Sequence, residues 1–441
     1  MTVQQTAGYK TILKWLSSEG RRPFAFQEET WDHITAGRSG LVNAPTGCGK
    51  TFSVFLGALI DFINRHPEDH TTRAGNGLQL LWVSPLRALA KDIGRAMEEV
   101  IGQLGMRWQV GIRNGDTEMS ERQKQKRKMP EVLIITPESL HLLLAQKGYH
   151  EVFKHLRIIA VDEWHELLGS KRGVQVELAI SRIIGVKQGL CSIMGISATI
   201  GNLVQARDVL LAPLRIPSGE VQAATNDDDL FIVRANIHKN IQVESILPDE
   251  IEKYPWAGHL GLKLIQKVIP ILEQSRTTLI FINTRGMSER WYQSLLDVCP
   301  DLAGAIALHH GSVDMALRNW VEEALHEGKL KAVVTTASLD LGVDFRPVEM
   351  VIQVGSPKGV ARFLQRAGRS GHQPGEVSKI FFLPTHSLEL VEAAALKSAM
   401  KMGLIESREP MMLCFDVLIQ YLSTLAISEG FYPDVLFSEL K

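Results

Sequence analysis

The chain has few cysteines, no long apolar run and no excess of either charge, and each shortage excludes a class of protein. Its four cysteines lie far apart without a CxxC pair, which argues against zinc binding and against a disulfide framework. No segment reaches the roughly 18 apolar residues of a membrane span, and the N-terminus lacks the apolar stretch of a signal peptide. The sequence therefore predicts a soluble protein of the reducing cytosol, with no membrane partner.

Charge is nearly balanced along the chain. The 48 lysines and arginines face 49 aspartates and glutamates, which leaves a net charge of -1. Global charge thus gives no sign of a nucleic-acid partner, and any surface that binds one must be local. The 441 residues are enough for two or three domains, each with its own core.

Short β-branched runs alternate with helical patterns in two series, separated by a segment rich in proline, glycine and aspartate at 212–229. This alternation is typical of βα units on parallel sheets. The runs are 41–42, 80–83, 132–135, 158–161 and 192–196, then 279–282, 305–308, 332–334, 350–354 and 380–383. The sequence predicts an α/β fold of two doubly wound parallel-sheet domains, 1–215 and 216–405. A helical segment follows at 406–441, and its stripe of Leu418, Tyr421, Leu422 and Leu425 is expected to pack against protein.

A phosphate-binding loop is predicted directly after the apolar pair Leu41-Val42, in Ala44-Pro-Thr-Gly-Cys-Gly-Lys-Thr51. A strand that turns through two glycines into a helix directs several backbone N–H groups at one point. Lys50 can reach the β- and γ-phosphates of ATP, and the Thr51 hydroxyl can coordinate Mg²⁺. The alternative is a glycine-rich turn without a ligand. The expected nucleotide contacts are Thr46, Gly47, Cys48, Gly49, Lys50 and Thr51.

The apolar run 158–161 ends in Asp162-Glu163-Trp164-His165. Carboxyl ends of parallel strands are where open α/β sheets bind their ligands. We expect Asp162 to hold Mg²⁺ and Glu163 to orient and deprotonate the water that attacks the γ-phosphate. His165 either couples the nucleotide site to other parts of the molecule or caps the following turn. Trp164 is expected in the core or as a packing lid.

Positive charge for the γ-phosphate is predicted from the second domain, in Gln365-Arg-Ala-Gly-Arg-Ser-Gly371. Arg369 is the candidate arginine finger, a group that contributes roughly 10³ to 10⁵ in rate. Gln365 and Arg366 are the further candidates for this part of the catalytic site. The alternative for Arg369 is a surface salt bridge, which contributes about 0 to 1 kcal/mol.

Together these segments resemble the superfamily 2 helicases, in the expected order from Gln27 to Gly371. The resemblance implies two tandem RecA-like domains with ATP and Mg²⁺ as cofactors. It implies that Gln27 reads the adenine edge, and that Ser197 and Thr199 link hydrolysis to unwinding. The segment Ser338-Leu-Asp-Leu-Gly-Val-Asp344 is similar to the one beside the nucleotide in this family. Its residues Gly342 and Asp344 are therefore expected at the nucleotide, with Asp344 accepting from the ribose hydroxyls.

The same resemblance implies sequence-independent nucleic-acid contacts on the opposite side of the two sheets. Hydroxyls, amides and backbone N–H groups bind phosphates without a large basic excess, which agrees with the balanced charge. The neighbouring His309 and His310 point to opposite faces of a strand and do not indicate a metal site. The expected contact residues are Pro85, Arg87, Thr117, Thr136, Asn283, Arg285, His310, Gly311 and Thr336.

A narrower resemblance, to the Lhr type of bacterial helicases and its ligase-associated DEXH-box branch, is carried by segments 162–173, 254–261 and 365–372. His372 replaces the second arginine of the wider family, as in the Lhr type, which leaves the finger role to Arg369. The resemblance implies a monomeric translocase that moves 3′ to 5′ on single-stranded DNA. It would displace DNA or RNA strands in DNA repair, with repair proteins as partners. A winged-helix domain is expected to begin at the C-terminus, with the chain ending inside its first helix and unwinding weakened.

Two other functions remain open from the sequence. The motor motifs contact the backbone more than the bases, so an RNA helicase has the same signature. A nucleotide-switched nucleic-acid-binding module without efficient unwinding is the second alternative.

Overall fold

Two parallel sheets, one in each of two units of the chain, organise the fold in this computed structural model. The structure describes residues 2–45, 47–187, 189–198, 200–215, 230–237, 240–249, 261–340, 348–371 and 376–440. Unit 1 comprises Met1–Ala44, Gly49–Asn236 and Ser407–Lys441, and unit 2 comprises Pro45–Cys48 and Ile237–Glu406. Within these described ranges no helix is both long and apolar enough to cross a membrane.

The sheet of unit 1 is built from short, fully buried apolar runs. Its strands are β1 (Ser39–Asn43), β2 (Leu80–Val83), β3 (Val110–Arg113), β4 (Val132–Ile135), β5 (Ile158–Val161), β6 (Ser192–Ser197) and β7 (Leu230–Arg234). Among the described residues they pair in parallel in the order β3-β4-β2-β5-β6-β1-β7. Helices on both faces bury the sheet, which explains why β2, β4 and β5 are apolar at every position.

The helices that precede the second sheet start at recognisable signals. They are α1 (Ala7–Ser18), α2 (Ala25–Thr35), α3 (Lys50–Arg65), α4 (Arg87–Gln103), α5 (Met119–Arg127), α6 (Pro137–Leu144), α7 (Tyr149–Val152), α8 (Trp164–Leu167), α9 (Lys171–Val186) and α10 (Leu203–Leu210). Ser170 caps α9 by accepting from the Gly173 N–H at 3.2 Å. Pro137 opens α6, where a missing N–H costs nothing.

Unit 2 repeats the architecture with strands β8 (Ile241–Ser245), β9 (Thr277–Ile282), β10 (Ile306–His309), β11 (Ala332–Thr335), β12 (Val348–Val354) and β13 (Ser378–Leu383). In the described part of this unit they pair in parallel in the order β10-β11-β9-β12-β13-β8. Leu279 and Phe281 of β9 belong to one apolar cluster, whereas Ile280 and Ile282 belong to another. Successive residues therefore pack on opposite faces of a sheet that is covered on both sides. Its helices are α11 (Ile265–Gln274), α12 (Arg285–Val298), α13 (Met315–His326), α14 (Val360–Ala367) and α15 (Leu388–Lys401).

Two further helices, α16 (Phe415–Ser428) and α17 (Pro433–Leu440), return to unit 1. Tyr421 and Leu425 of α16 are buried in the core of unit 1, and Leu418 and Leu422 pack against it. The predicted stripe thus packs against protein, as expected. The C-terminal segment contains two helices where one partial helix was expected.

The predicted class and the ten predicted strands are confirmed, but the division of the chain differs from the expected one. β7 pairs with β1, with Ile232 opposite Leu41, so the first sheet continues beyond the boundary expected near residue 215. Unit 1 then ends at Asn236 and resumes at Ser407. β3 and β8 had not been predicted because their runs contain polar and charged residues, and β7 had not been predicted because it follows the segment that marked the expected boundary.

Candidate nucleotide and nucleic-acid site

The predicted phosphate loop connects β1 to α3, which begins at Lys50. Gly47 has a φ of 80° and Gly49 a φ of 73°, a region that favours glycine and explains both positions in the motif. Gln27 adjoins the loop: its Nε2 donates to the Gly49 carbonyl at 3.1 Å, and its Oε1 accepts from the Phe24 N–H at 3.0 Å. The candidate adenine reader therefore lies beside the loop. Thr46 lies outside the described residues.

Lys50 and Glu163 form a buried ion pair. The Lys50 Nζ donates to both carboxylate oxygens of Glu163, at 2.8 and 2.9 Å, and the two side chains are 9% and 5% exposed. Glu163 has a φ of 47°, a left-handed conformation that costs a non-glycine residue energy and is often found at functional sites. The fold thus joins the predicted phosphate-binding lysine to the predicted catalytic base.

Asp162 lies next to this pair at the carboxyl end of β5 and is 1% exposed. Its Oδ1 accepts from the Glu163 N–H at 2.9 Å. Burial and the neighbouring Glu163 carboxylate raise the pKa of Asp162 above its usual range. A buried carboxylate of this kind suits a cation. Among the described residues no three His, Cys, Asp or Glu side chains cluster as a metal site.

His165 connects the Glu163 segment to the end of β6. Its Nδ1 accepts from the Ala198 N–H at 3.2 Å, so this nitrogen carries no proton. Burial lowers the pKa of His165 to about 4, which keeps the imidazole neutral near pH 7. The 3.4 Å contact between Nδ1 and Glu163 is therefore no charged pair. A contact with Ala198 is what a coupling role requires, and that role stays a prediction.

Hydrogen bonds from Asn43 of β1 and to His165 of α8 hold the Ser197-Ala198 segment. Ser197 is fully buried, and its hydroxyl donates to the Ala198 carbonyl at 3.1 Å. The side-chain amide of Asn43, at the end of β1, donates to the carbonyls of Ser197 and Ala198. Trp164 is in the core, where its Nε1 donates to the Ala206 carbonyl at 2.8 Å. Thr199 lies outside the described residues.

A chain segment that precedes α16 also contacts these motifs, which the sequence did not indicate. The Asn202 side chain donates to the Arg408 carbonyl and accepts from the Arg408 N–H, both at 2.9 Å. The Arg408 guanidinium lies 3.7 Å from the Glu166 carboxylate of α8. Unit 1 thus fixes the start of the C-terminal segment at residues adjacent to both predicted motifs.

In unit 2 the candidate arginines are buried: Arg366 lies in α14 and Arg369 follows its C-terminal end. The Arg366 guanidinium donates to both carboxylate oxygens of Asp340, at 2.7 and 3.0 Å, and to the Gln353 Oε1 at 2.6 Å. Arg369 is 1% exposed, and its Nη2 donates to the Asp340 carbonyl at 2.8 Å. Gln365 is buried as well, and its Nε2 has no hydrogen-bond partner within the described ranges.

This arrangement gives Arg366 a supporting position and brings Arg369 to the same segment at Asp340. The predicted nucleotide contacts that follow Asp340, Gly342 and Asp344, lie outside the described residues, as does His372. The finger role of Arg369 and the nucleotide contact of Arg366 stay predictions.

The candidate nucleic-acid residues of unit 1 follow β2, β3 and β4 at their carboxyl ends. The Arg87 guanidinium pairs with Asp116 at 2.5 Å and remains 59% exposed. Thr117 accepts from the Asn114 N–H at 2.9 Å, Thr136 precedes α6, and the Pro85 carbonyl accepts from Arg172 at 2.6 Å. They line the same edge as the phosphate loop, on the β3-β4-β2 flank. The opposite side was expected, but among the described residues these candidates follow the carboxyl ends of β2, β3 and β4, the edge that also leads into the phosphate loop.

The candidates of unit 2 gather in the same way at the carboxyl ends of β9, β10 and β11. The Asn283 amide donates to the Ser356 carbonyl at 2.7 Å, and Arg285 donates to the Ser312 hydroxyl. His310 is buried, with its Nε2 3.2 Å from Glu289, and the neighbouring His309 hydrogen-bonds Ser338 and Glu322. The remaining candidates, Gly311 and Thr336, adjoin these side chains in the loops after β10 and β11.

Three family descriptions match the chain and cover most of it. They are the DEAD/DEAH box helicase at 24–206, the helicase conserved C-terminal domain at 262–373, and the large helicase-related protein winged helix domain at 398–441. The chain belongs to the Lhr type of superfamily 2 helicases. The two general helicase matches contain the phosphate loop and the Arg369 segment, and the Lhr winged-helix match contains α16 and α17.

Relatives of this Lhr-type chain are similar along nearly its whole length. The ATP-dependent helicase Lhr-Core of Methanocaldococcus jannaschii is 32% identical over 98% of this chain and 50% of its own. The Lhr helicase/uracil glycosylase of Escherichia coli is 30% identical over 97% of this chain and 30% of its own. The structure of the Mycobacterium smegmatis helicase Lhr bound to ssDNA and AMP-PNP has a TM-score of 0.84 at 29% identity, covering 100% of this chain and 56% of that one. The chain spans about half the length of the Methanocaldococcus jannaschii and Mycobacterium smegmatis proteins and 30% of the Escherichia coli protein.

Proposed function

We propose that this chain is an ATP-dependent translocase that moves 3′ to 5′ along single-stranded DNA and displaces a paired DNA or RNA strand. The observation that carries the proposal is the buried contact between Lys50 and Glu163, beside Asp162, where β5 ends. A lysine for phosphates, a carboxylate for the metal and a carboxylate for water are the groups that phosphoryl transfer to water needs.

In the proposed reaction, the phosphate loop binds the β- and γ-phosphates through backbone N–H groups and the Lys50 ammonium. Glu163 accepts a proton from the attacking water, and Lys50 orients that carboxylate. Asp162 and Thr51 are the residues that would hold Mg²⁺, which neutralises part of the charge on the phosphate oxygens. Arg369 adds positive charge to the same oxygens.

Single-stranded DNA as the tracking strand is supported by the ssDNA-bound Mycobacterium smegmatis relative. The similarity to that structure covers 100% of this chain and 56% of the relative. The 3′ to 5′ direction is supported by the resemblance to the Lhr type. A role in DNA repair is supported by the Escherichia coli relative, whose name joins a helicase to a uracil glycosylase. We propose a monomer as the active form.

A strand-displacement assay with matched substrates tests this proposal. Duplexes with a 3′ DNA tail, a 5′ DNA tail or a 3′ RNA tail are incubated with ATP and Mg²⁺, and Lys50→Ala serves as the inactive control. We expect displacement from the 3′ DNA tail, together with DNA-stimulated ATP hydrolysis. Preference for the RNA tail would identify an RNA helicase. Tight binding with background turnover on every substrate would identify a nucleotide-switched binding module.

A further inference from the structure

Basic residues from four separate segments of unit 1 line one cleft of about 640 Å³. The cleft lies at the amino-terminal edge of the sheet, because Gln79 directly precedes β2 and Arg157 directly precedes β5. The phosphate loop lies at the opposite, carboxyl edge. We call this feature the basic cleft, and its cationic side chains are Arg65, Arg73, Lys154, Arg157 and Lys187.

Two of the five cations of the basic cleft pair with carboxylates outside its lining, Arg73 with Asp69 at 3.0 Å and Lys154 with Glu151 at 3.9 Å. Positive charge is in excess around Arg65 and Arg157. No aspartate or glutamate is among its described lining residues. The Asp61 carboxylate, behind the lining, lies within ion-pair distance of two guanidinium groups. Arg65 is 3.0 Å from it and Arg157 is 3.9 Å from it. One carboxylate cannot neutralise two cations, so this pair retains net positive charge.

The pKa values of two lining residues, Lys187 and His66, are sensitive to the charges of the neighbouring arginines. Burial lowers the pKa of Lys187, and Arg157 lowers it further. Burial also lowers the pKa of His66, with Arg73 and Arg65 acting in the same direction. Burial disfavours charge of either sign, so only the contributions of Arg157, Arg73 and Arg65 indicate positive charge in the cleft, and these would favour an anion; Cys191, Asp69 and Asp61 act in the opposite direction.

A solvated basic surface would be flat, and its side chains would be mostly exposed. Here Lys187 is 8% exposed, with its Nζ donating to the carbonyls of Gly189 and Leu190 at 3.2 and 3.1 Å. The Arg65 and Arg157 side chains are 33% exposed. A concave surface lined by one sign of charge concentrates the field and attracts counter-ions. The rest of the chain compensates this charge, since the total is -1.

We propose that the basic cleft is a second phosphate-binding site, which takes either the phosphodiester backbone of a nucleic acid or a free polyphosphate. Guanidinium groups bind phosphate through two parallel hydrogen bonds, and two arginines line the cleft alongside Lys187 near Asp61: Arg65, whose Nε donates to Asp61 at 3.1 Å, and Arg157, whose guanidinium lies 3.9 Å from it. A cleft of this size can hold several phosphate groups. Its ligand lies at the sheet edge opposite the ATP site.

The test compares two double variants with a control of equal charge change. Lys154→Gln with Arg157→Gln removes one exposed and one partly buried cation of the cleft. Arg73→Gln with Lys154→Gln alters only exposed side chains, so its folding is safe. Lys10→Gln with Lys14→Gln, on exposed positions of α1, is the control. Fluorescence anisotropy with a labelled tailed duplex gives affinity from low to high salt. Calorimetry with inorganic tripolyphosphate, in the presence of a saturating ATP analogue, measures the second ligand.

If nucleic acid occupies the cleft, the slope of log affinity against log salt becomes shallower by about 0.7 for each phosphate that the variant no longer neutralises, and the control keeps the wild-type slope. If a free polyphosphate occupies it, the wild type binds one tripolyphosphate that neither cleft variant binds, while the slope stays constant. Either result supports the proposal. Cleft variants that match the control in both measurements overturn it, and because neither measurement needs hydrolysis, the outcome is independent of the motor function.

Discussion

Replacing Glu163 by glutamine tests the catalytic role proposed for it separately from its structural role. The variant keeps the shape of the side chain and one oxygen acceptor, but it removes the negative charge that the Lys50 ammonium contacts at 2.8 and 2.9 Å. Hydrogen bonds to charged groups contribute about 1.5–3 kcal/mol, and both side chains are buried. We therefore expect the free energy of unfolding to fall by about 2 kcal/mol without nucleotide. Loss of the general base should lower turnover by roughly 10²–10⁴-fold.

Two assays measure these effects on the same preparations. Steady-state ATP hydrolysis with saturating single-stranded DNA gives turnover, and urea unfolding with and without a non-hydrolysable ATP analogue gives stability. The stability difference should shrink with the analogue, because phosphates then supply the negative charge near Lys50. Asp416→Asn is the control, since its pair with Lys171 is exposed, and we expect no measurable change in either assay.

Two results would refute the reasoning. If Glu163→Gln retains DNA-stimulated turnover at the wild-type level, Glu163 does not activate the water. If the stability loss is equal with and without the analogue, Lys50 does not contact the phosphates, and the assignment of the loop is wrong.

Three further predictions concern Arg369, two glycines and the half-buried Glu177. Arg369→Ala should bind the ATP analogue within a few-fold of wild type but lose roughly 10³-fold or more in turnover, and unchanged turnover would give Arg369 a structural role only. A Cβ at Gly173 would collide with the Leu167 carbonyl oxygen, so Gly173→Ala should lower the free energy of unfolding by about 1–3 kcal/mol. Gly102 has open space around it, so Gly102→Ala should raise the free energy of unfolding by about 0.5–1 kcal/mol in the same denaturation assay. Burial raises the pKa of Glu177 to about 7, above its unfolded value, so the folded state binds the extra proton and stability falls as pH rises from about 4.5 to 7. Glu177→Gln should remove this fall in stability. The variant should be more stable than wild type by roughly 1–2 kcal/mol at pH 8, after allowance for partial solvent screening, and equally stable at pH 4. A stability difference that does not depend on pH would contradict the assignment of the effect to the Glu177 carboxyl group.

The central strands could be predicted because parallel sheets bury both faces and so need continuous apolar runs. β2 and β5 are of this kind. Edge strands carry a weaker signal: β3 reads Val-Gly-Ile-Arg, and β8 alternates partly exposed and exposed positions. β7 escaped prediction for a different reason, since it follows the proline- and glycine-rich segment that marked the expected boundary. Only its pairing with β1 assigns it to unit 1.

The proximity of the candidate catalytic groups was predictable because their order along the chain carries the motif. Lys50 and Glu163 are 113 positions apart, yet each adjoins the carboxyl end of a buried strand, and that is enough to predict their proximity. The basic cleft had no such signal. Its cations come from the end of α3, a loop, the segment before β5 and the segment after α9, and no local pattern marks any of them.

The C-terminal segment illustrates the difference between a region matched by sequence and a unit formed by packing. The winged-helix match begins at residue 398 in α15, which belongs to unit 2, and continues into α16 and α17 of unit 1. Contacts at three positions fix the segment to the rest of unit 1. Asn202 holds the Arg408 backbone, Tyr421 is fully buried against the core, and Glu439 pairs with Arg182 at 2.9 Å with both side chains mostly buried. Removing this segment would expose the apolar surface of α6 and α9, so the first motor unit is not complete without it.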